Sequence, residues 1–313
     1  MNTSRRILLK ASLAPLFLMA APAQAEQIAQ AEEPEIRIIQ SKDPSRLLAW
    51  ISTPGFDAVL ARAVLNFLFD TYPTATLPVW KLPLSQIDMH TRVTEISRHV
   101  VQNVIAHASI YPVDPCWLMG QIMAESFFHE FAVSSALAVG PCQFIAPTAR
   151  GYGLICADAH KLPPGAARKP ELEPEFERAA QLRAQTRTLR RENSALFSSP
   201  SKTLRTILDT LAAGKPVTNA QAYLKTLQDM EKLQTRYTTA RNNARQYLQE
   251  NFEGRSVFNP QDTAFLEQFD QRVLYHHSIR AMTRMMAENL RTRNGNILAA
   301  TAGYNAGLGN TTY

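Results

Sequence analysis

Cysteine is scarce in this chain of 313 residues, which has three, Cys116, Cys142 and Cys156. At most one disulfide can form within the chain. In an oxidising compartment Cys142 and Cys156 would close the shorter loop, and the alternative is three thiols packed as small hydrophobes. No cysteine follows the N-terminal apolar segment, so the residue that a lipoprotein anchor needs is missing. Long hydrophobic runs are also missing, because the apolar stretch 11–21 is too short to span a bilayer. There is no concentrated basic patch with interleaved aromatics, so nothing indicates a nucleic-acid binder and no nucleic-acid partner is expected. His129-Glu130 opens like a zinc-protease motif, but Val133 stands where H-E-x-x-H needs its second histidine. His276 and His277 are adjacent, and adjacent helical residues do not face one point. The expectation is therefore no metal and no cofactor. Alternating β patterning is absent beyond 36–40, which leaves a mainly α fold with at most a small β element.

What is present suits an exported protein with a full core. The chain is 45% hydrophobic and 19% charged. Arg5, Arg6 and Lys10 precede the apolar stretch, and Ala23-Gln24-Ala25 forms a small-x-small cleavage site, so 1–25 reads as a signal peptide cut after Ala25. Ser4-Arg5-Arg6 also resembles the twin-arginine export signal. Either route leads to the periplasm, with no stable membrane span in the mature chain. Cleavage takes away three positive and no negative charges, lowering the formal charge from +6 to +3. That mild excess suits an anionic polymer.

A carboxyl group at Glu125 is placed where ionisation should be difficult. Asp114-Pro115 reads as a helix start, with Asp as N-cap and Pro in the first turn. Leu118, Met119, Ile122 and Met123 then form an apolar stripe, and Glu125 continues it, seven residues after Leu118 and three after Ile122. An acid on such a face loses hydration, which raises its pKa and suits it to donating a proton. The alternative is a glutamate at the helix edge that reaches water. Upstream, Val93, Ile96, Val100, Val101 and Ile105 repeat at helical spacing and lead into this segment.

Two further blocks stand in order behind Glu125-Ser126-Phe127-Phe128. The first runs from Ala132-Val133-Ser134 through Gly140-Pro141-Cys142-Gln143-Phe144 to Thr148-Ala149, and the second is Tyr304-Asn305-Ala306-Gly307. Together they resemble the SLT-type lytic transglycosylase domain of the lysozyme-like superfamily. That family's pattern is E-S-x-F, A-x-S, a small residue with G-x-x-Q, T-A and finally Y-N-A-G. The resemblance covers 93–309 with a long interruption and misses the N-terminal third. Gly140-Pro141-Cys142-Gln143-Phe144 leans toward the membrane-bound transglycosylase B branch, and the Tyr304 block toward the soluble-type branch. Leu137 stands where the family usually has glycine.

The resulting organisation is an N-terminal helical and irregular region at 26–86 and a catalytic domain split between 87–160 and 257–313. The piece between, 161–256, is an insertion. Its first part, 161–174, is Pro-rich and charged. Leu182, Leu189 and Leu196 then stand at seven-residue spacing. Tyr223, Met230, Tyr237 and Ala244 do the same, each followed after three residues by Thr226, Leu233, Ala240 and Tyr247. An antiparallel helical pair is expected. It would serve either as a docking surface for an envelope protein or as a longer wall for the cleft. Phe258-Asn259-Pro260 resembles the family's step into its next helix. Val273, Ile279, Met282, Met285, Met286 and Leu290 supply that helix's apolar face.

The resemblance implies cleavage of the β-1,4 bond between N-acetylmuramic acid and N-acetylglucosamine in peptidoglycan, with formation of a 1,6-anhydro ring. Glu125 would act as acid and then base. Ser134 and Gln143 would line the glycan groove, Tyr304 would place its hydroxyl near Glu125, and Asn305 would fix the turn. Asp114 and Glu130 are poorly placed as a second carboxylate. The competing readings are a hydrolytic muramidase of the same fold and a non-catalytic scaffold that grips glycan. Related domains continue beyond the final block, so the last residues are expected to fray.

Overall fold

A computed structural model describes residues 39–159 and 161–310; the expected signal peptide, the stretch 26–38 and residues 160 and 311–313 lie outside the described residues. Twelve α-helices are present among the described residues. They are α1 (Pro44–Ile51), α2 (Phe56–Thr71), α3 (Met89–His107), α4 (Pro115–Ser126), α5 (Ala146–Gly151) and α6 (Glu175–Glu192). After these come α7 (Ser194–Phe197), α8 (Pro200–Ala212), α9 (Ala220–Phe252), α10 (Pro260–Phe269), α11 (Tyr275–Thr292) and α12 (Ile297–Ala306). The fold is mainly α. Its β content is isolated bridges, with Val139 pairing to both Val133 and Phe144, and no sheet forms among the described residues.

Asp or Asn followed by Pro starts three of these helices. Asp43, Asp114 and Asn259 each accept a hydrogen bond from a first-turn backbone N–H, and the proline behind each has no N–H to leave unpaired. Between α1 and α2 the chain turns through Gly55, whose φ of 79° is the left-handed conformation glycine adopts without strain. Among the described residues no single helix is long and apolar enough to cross a membrane.

The principal core joins α2, α3, α4, α11 and α12. Val93, Ile96, Val100 and Val101 are buried there, as are Ile279, Met282, Met286 and Leu290. The expected stripe on α3 turns at its end, where Val104 is buried and Ile105 is exposed. A second cluster holds Val139, Tyr247, Leu248, Phe252, Leu266, Phe269, Val273 and Leu274. It therefore mixes the end of α9 with the loop after α4.

Helices α6 and α9 pack antiparallel. Asn243 reaches Glu175 at one end of the pair, and Thr226 reaches Asn193 at the other. All eight positions of the heptad seam on α9 are buried or half-buried. Ala179, Leu182 and Ala240 form a small core of their own. The Pro-rich 161–174 segment is pinned to α9, since Asn251 bonds both the N–H and the carbonyl of Arg168. Because Tyr247, Leu248 and Phe252 also belong to the second cluster, excising 175–252 would open that core. Beyond α6 the chain forms the unanticipated helix α8, where Leu204, Leu208 and Leu211 are exposed.

Candidate active site

The Asp114 carboxylate accepts from the N–H of Cys116 at 2.8 Å and so is occupied at the head of α4. Leu118, Met119 and Ile122 are buried, and Glu125, next to the end of the helix, is half-buried. Burial raises its pKa above the ordinary carboxylate range, and the opposing effect is one hydrogen bond from Gln121 Nε2 to Oε1 at 2.7 Å. The carbonyl end of a helix also disfavours an anion. No ion pair reaches Glu125 among the described residues.

The chain leaves α4 through strained backbone. Phe127 and Phe128 have φ of 50° and 62°, both left-handed, and Leu137 and Gln143 follow at 62° and 50°. Four such non-glycine residues within 17 positions mark a segment whose conformation is imposed from outside. Leu137 thus takes the left-handed conformation that glycine adopts without strain. Ser126 Oγ donates to the Pro141 carbonyl at 2.8 Å, tying the helix end to the loop. Trp80 Nε1 donates to the Phe127 carbonyl at 2.8 Å.

An anchor beneath this loop explains how the strain is held. Asp270 and Arg272 are fully buried and paired, with Arg272 Nη2 2.6 Å from Asp270 Oδ2. Arg272 Nη1 also donates to the carbonyls of Leu137 and Phe144 at 3.3 and 3.2 Å. Gly140 passes so close that an added Cβ would lie 1.9 Å from the Arg272 carbonyl oxygen. A side chain is impossible there without moving backbone.

The expected site residues occupy different situations. Tyr304 on α12 donates its hydroxyl to the Cys142 carbonyl at 2.6 Å. Its phenol pKa is raised by burial first, then by Cys142 and by the charge of Glu125, so this ring and the acid share one neighbourhood. Gln143 uses its amide nitrogen on the carbonyls of Ala132 and Gly140, at 3.1 and 2.9 Å, which leaves its amide oxygen to accept from a ligand. Ser134 Oγ accepts from the N–H groups of Ala136 and Ala138 and closes a turn. Asn305 is exposed and bonds back to the Thr301 carbonyl at 3.3 Å.

Glu130 is buried and engaged by Arg92, whose Nη2 lies 2.6 Å away, and by the hydroxyl of Tyr275 at 3.3 Å. Arg92 in turn lies over Trp80, which stacks on His129. All three cysteines are free: of the two alternatives, the Cys142–Cys156 pairing is not formed, and Cys142 and Cys156 pack as small buried groups while Cys116 is exposed. A hollow of about 380 Å³ is lined by Thr148, Tyr152, Glu288, Gly303 and Leu308, and Glu125 is not part of its wall.

Sequence reasoning missed Gln121 and the Asp270–Arg272 anchor. The spacing of four from Gln121 to Glu125 was visible. Asp270 and Arg272 carried no signal, because the loop groups they hold, the Ala157 N–H and the carbonyls of Leu137 and Phe144, lie 113, 135 and 128 positions away. No protein-family model matches the chain, and no curated protein or solved structure matches it significantly.

Proposed function

We propose that the chain is a periplasmic peptidoglycan lytic transglycosylase with a lysozyme-like catalytic domain. The observation that carries this reading is Glu125, a half-buried carboxyl with a raised pKa, beside Tyr304 and facing no cation among the described residues. A carboxyl whose pKa is raised by burial is suited to protonating the bridging oxygen between N-acetylmuramic acid and N-acetylglucosamine. The resulting carboxylate then accepts the proton of the muramic acid C6 hydroxyl as that oxygen bonds to C1. One glycosidic bond breaks, one ring ether forms, and no water is consumed. A single acid suffices when the sugar's own N-acetyl group assists.

Within this reading Gln143 offers its amide oxygen to the glycan, and Tyr304 shapes the wall next to the acid. Ser134 and Asn305 act on the loop and the helix end that carry them. The α6–α9 pair extends from this domain as a wall or an envelope docking element. A hydrolytic muramidase would need a second carboxylate across the cleft. Asp114 and Glu130 are both engaged elsewhere, so no observation favours that alternative.

Glu125→Gln tests the assignment. It retains size and hydrogen-bonding reach but carries no transferable proton, so cleavage should fall by at least about 10²–10⁴-fold. The same variant should be more stable than the wild type at neutral pH. The raised folded pKa means that stability is lost as pH climbs from the unfolded toward the folded value, and glutamine removes that loss. Full activity in Glu125→Gln would overturn the site.

A further inference from the structure

Glu267, His276 and His277 form a cluster that the proposed catalysis does not use. Glu267 lies near the end of α10, and the two histidines stand in the first turn of α11. Adjacent helical side chains diverge, which argued from sequence against a shared ion. The structure removes the objection, because the two rings lie together with centroids 4.1 Å apart and the carboxylate from α10 meets both Nε2 atoms. His276 Nε2 is 3.0 Å from Oε1 and His277 Nε2 is 2.8 Å from Oε2. One atom from each residue can be chosen so that all three lie within 4.8 Å of one another. Around a tetrahedral zinc ion with bonds of about 2.0 Å, ligand atoms stand ~3.3 Å apart, so from separations within 4.8 Å the three side chains would close on the ion by at most about 1.5 Å.

We propose that Glu267, His276 and His277 bind a zinc-class divalent cation that links α10 to α11. Two imidazoles and a carboxylate suit borderline transition ions better than calcium or magnesium, which prefer oxygen donors. The carboxylate is oriented by an outer partner, Gln271, whose Nε2 donates to Glu267 Oε2 at 3.1 Å. Gln271 is itself held through its amide oxygen, which accepts from the N–H of Ile155 at 3.0 Å. Such outer contacts fix a ligand before the ion arrives. Binding requires each imidazole to carry its proton on Nδ1 and present the Nε2 lone pair. His276 is the most exposed of the three, with 46% of its side chain accessible, which provides an entry path.

The test is titration of the chelator-treated chain with Zn²⁺ alone and Co²⁺ alone at neutral pH, read by calorimetry and by the cobalt absorption spectrum. One ion per chain is expected. His277→Ala should weaken binding by more than the 10–100-fold that losing an outer partner typically costs, and Gln271→Ala by about that factor. His276→Gln keeps a donor to Glu267 while removing the ligand nitrogen, so it separates ligation from local structure. In the unaltered chain, zinc should shift the NMR signals of two of the seven histidines. Absence of stoichiometric binding, or equal affinity in wild type, His276→Gln and His277→Ala, would overturn the site. Histidine shifts spread over other positions would also overturn it.

Discussion

The loop after α4 and the outer part of the α6–α9 pair are held in opposite ways. The loop is short and strained, and buried polar groups from distant sequence fix it: Arg272 grips two of its carbonyls, and Ser126 and Gln143 bond others. The outer helical pair has regular backbone and a thin seam of Leu182, Ala179 and Ala240, and it leaves Leu224 and Leu227 exposed. One region is built to keep a geometry against local preference. The other follows local preference and gains little from the rest of the molecule. Positions that hold a reacting group within a fraction of an ångström belong to the first kind.

The largest effect is expected where the loop's anchor is cut. Arg272→Met leaves Asp270 as an unpaired buried charge, which typically costs about 3–5 kcal/mol. Urea unfolding should show that loss, and glycan cleavage should fall with it although Arg272 touches no proposed substrate position. An intact loop and normal activity would show that the strain is held by something else.

Leu182→Ala attacks the other side of the comparison. A buried leucine truncation costs about 2–5 kcal/mol, and the lower end is expected in so thin a seam. Amide exchange should quicken in the outer halves of α6 and α9 and stay slow in α4, with cleavage kept. Equal loss of protection in α4 would mean that the two regions unfold as one.

The smallest effect concerns a single backbone angle. At an ordinary loop position glycine is less stable than alanine. At Leu137, with φ of 62°, the order should reverse, and Leu137→Gly should exceed Leu137→Ala by about 1 kcal/mol. Thermal melts of the two variants check this directly.

What was legible in the sequence follows the same division. Asp114-Pro115, the stripe through Leu118 and Ile122, and the heptads of α9 are short-range patterns, and each appears in the structure as helix and burial. The seam on α9 was readable because a helix repeats its facing every seven residues. Helix α8 was not anticipated, and its apolar residues find no core. The roles of Asp270 and Arg272 were hidden because their partners are set by folding, not by spacing. Ser134 and Gln143 could be noticed as polar residues in a loop. That they hold the loop's own backbone follows from how the loop folds back on itself, which no local pattern encodes. That the two adjacent histidines meet one carboxylate was hidden because that group, Glu267, comes from another helix.

The central claim is that Glu125 closes a ring within the sugar and does not activate water. Mass spectrometry of the products from purified glycan strands tests it most directly. The account predicts new chain ends that carry 1,6-anhydromuramic acid, lighter by one water than hydrolytic ends. New ends consisting only of reducing sugars would contradict it and leave a muramidase in its place.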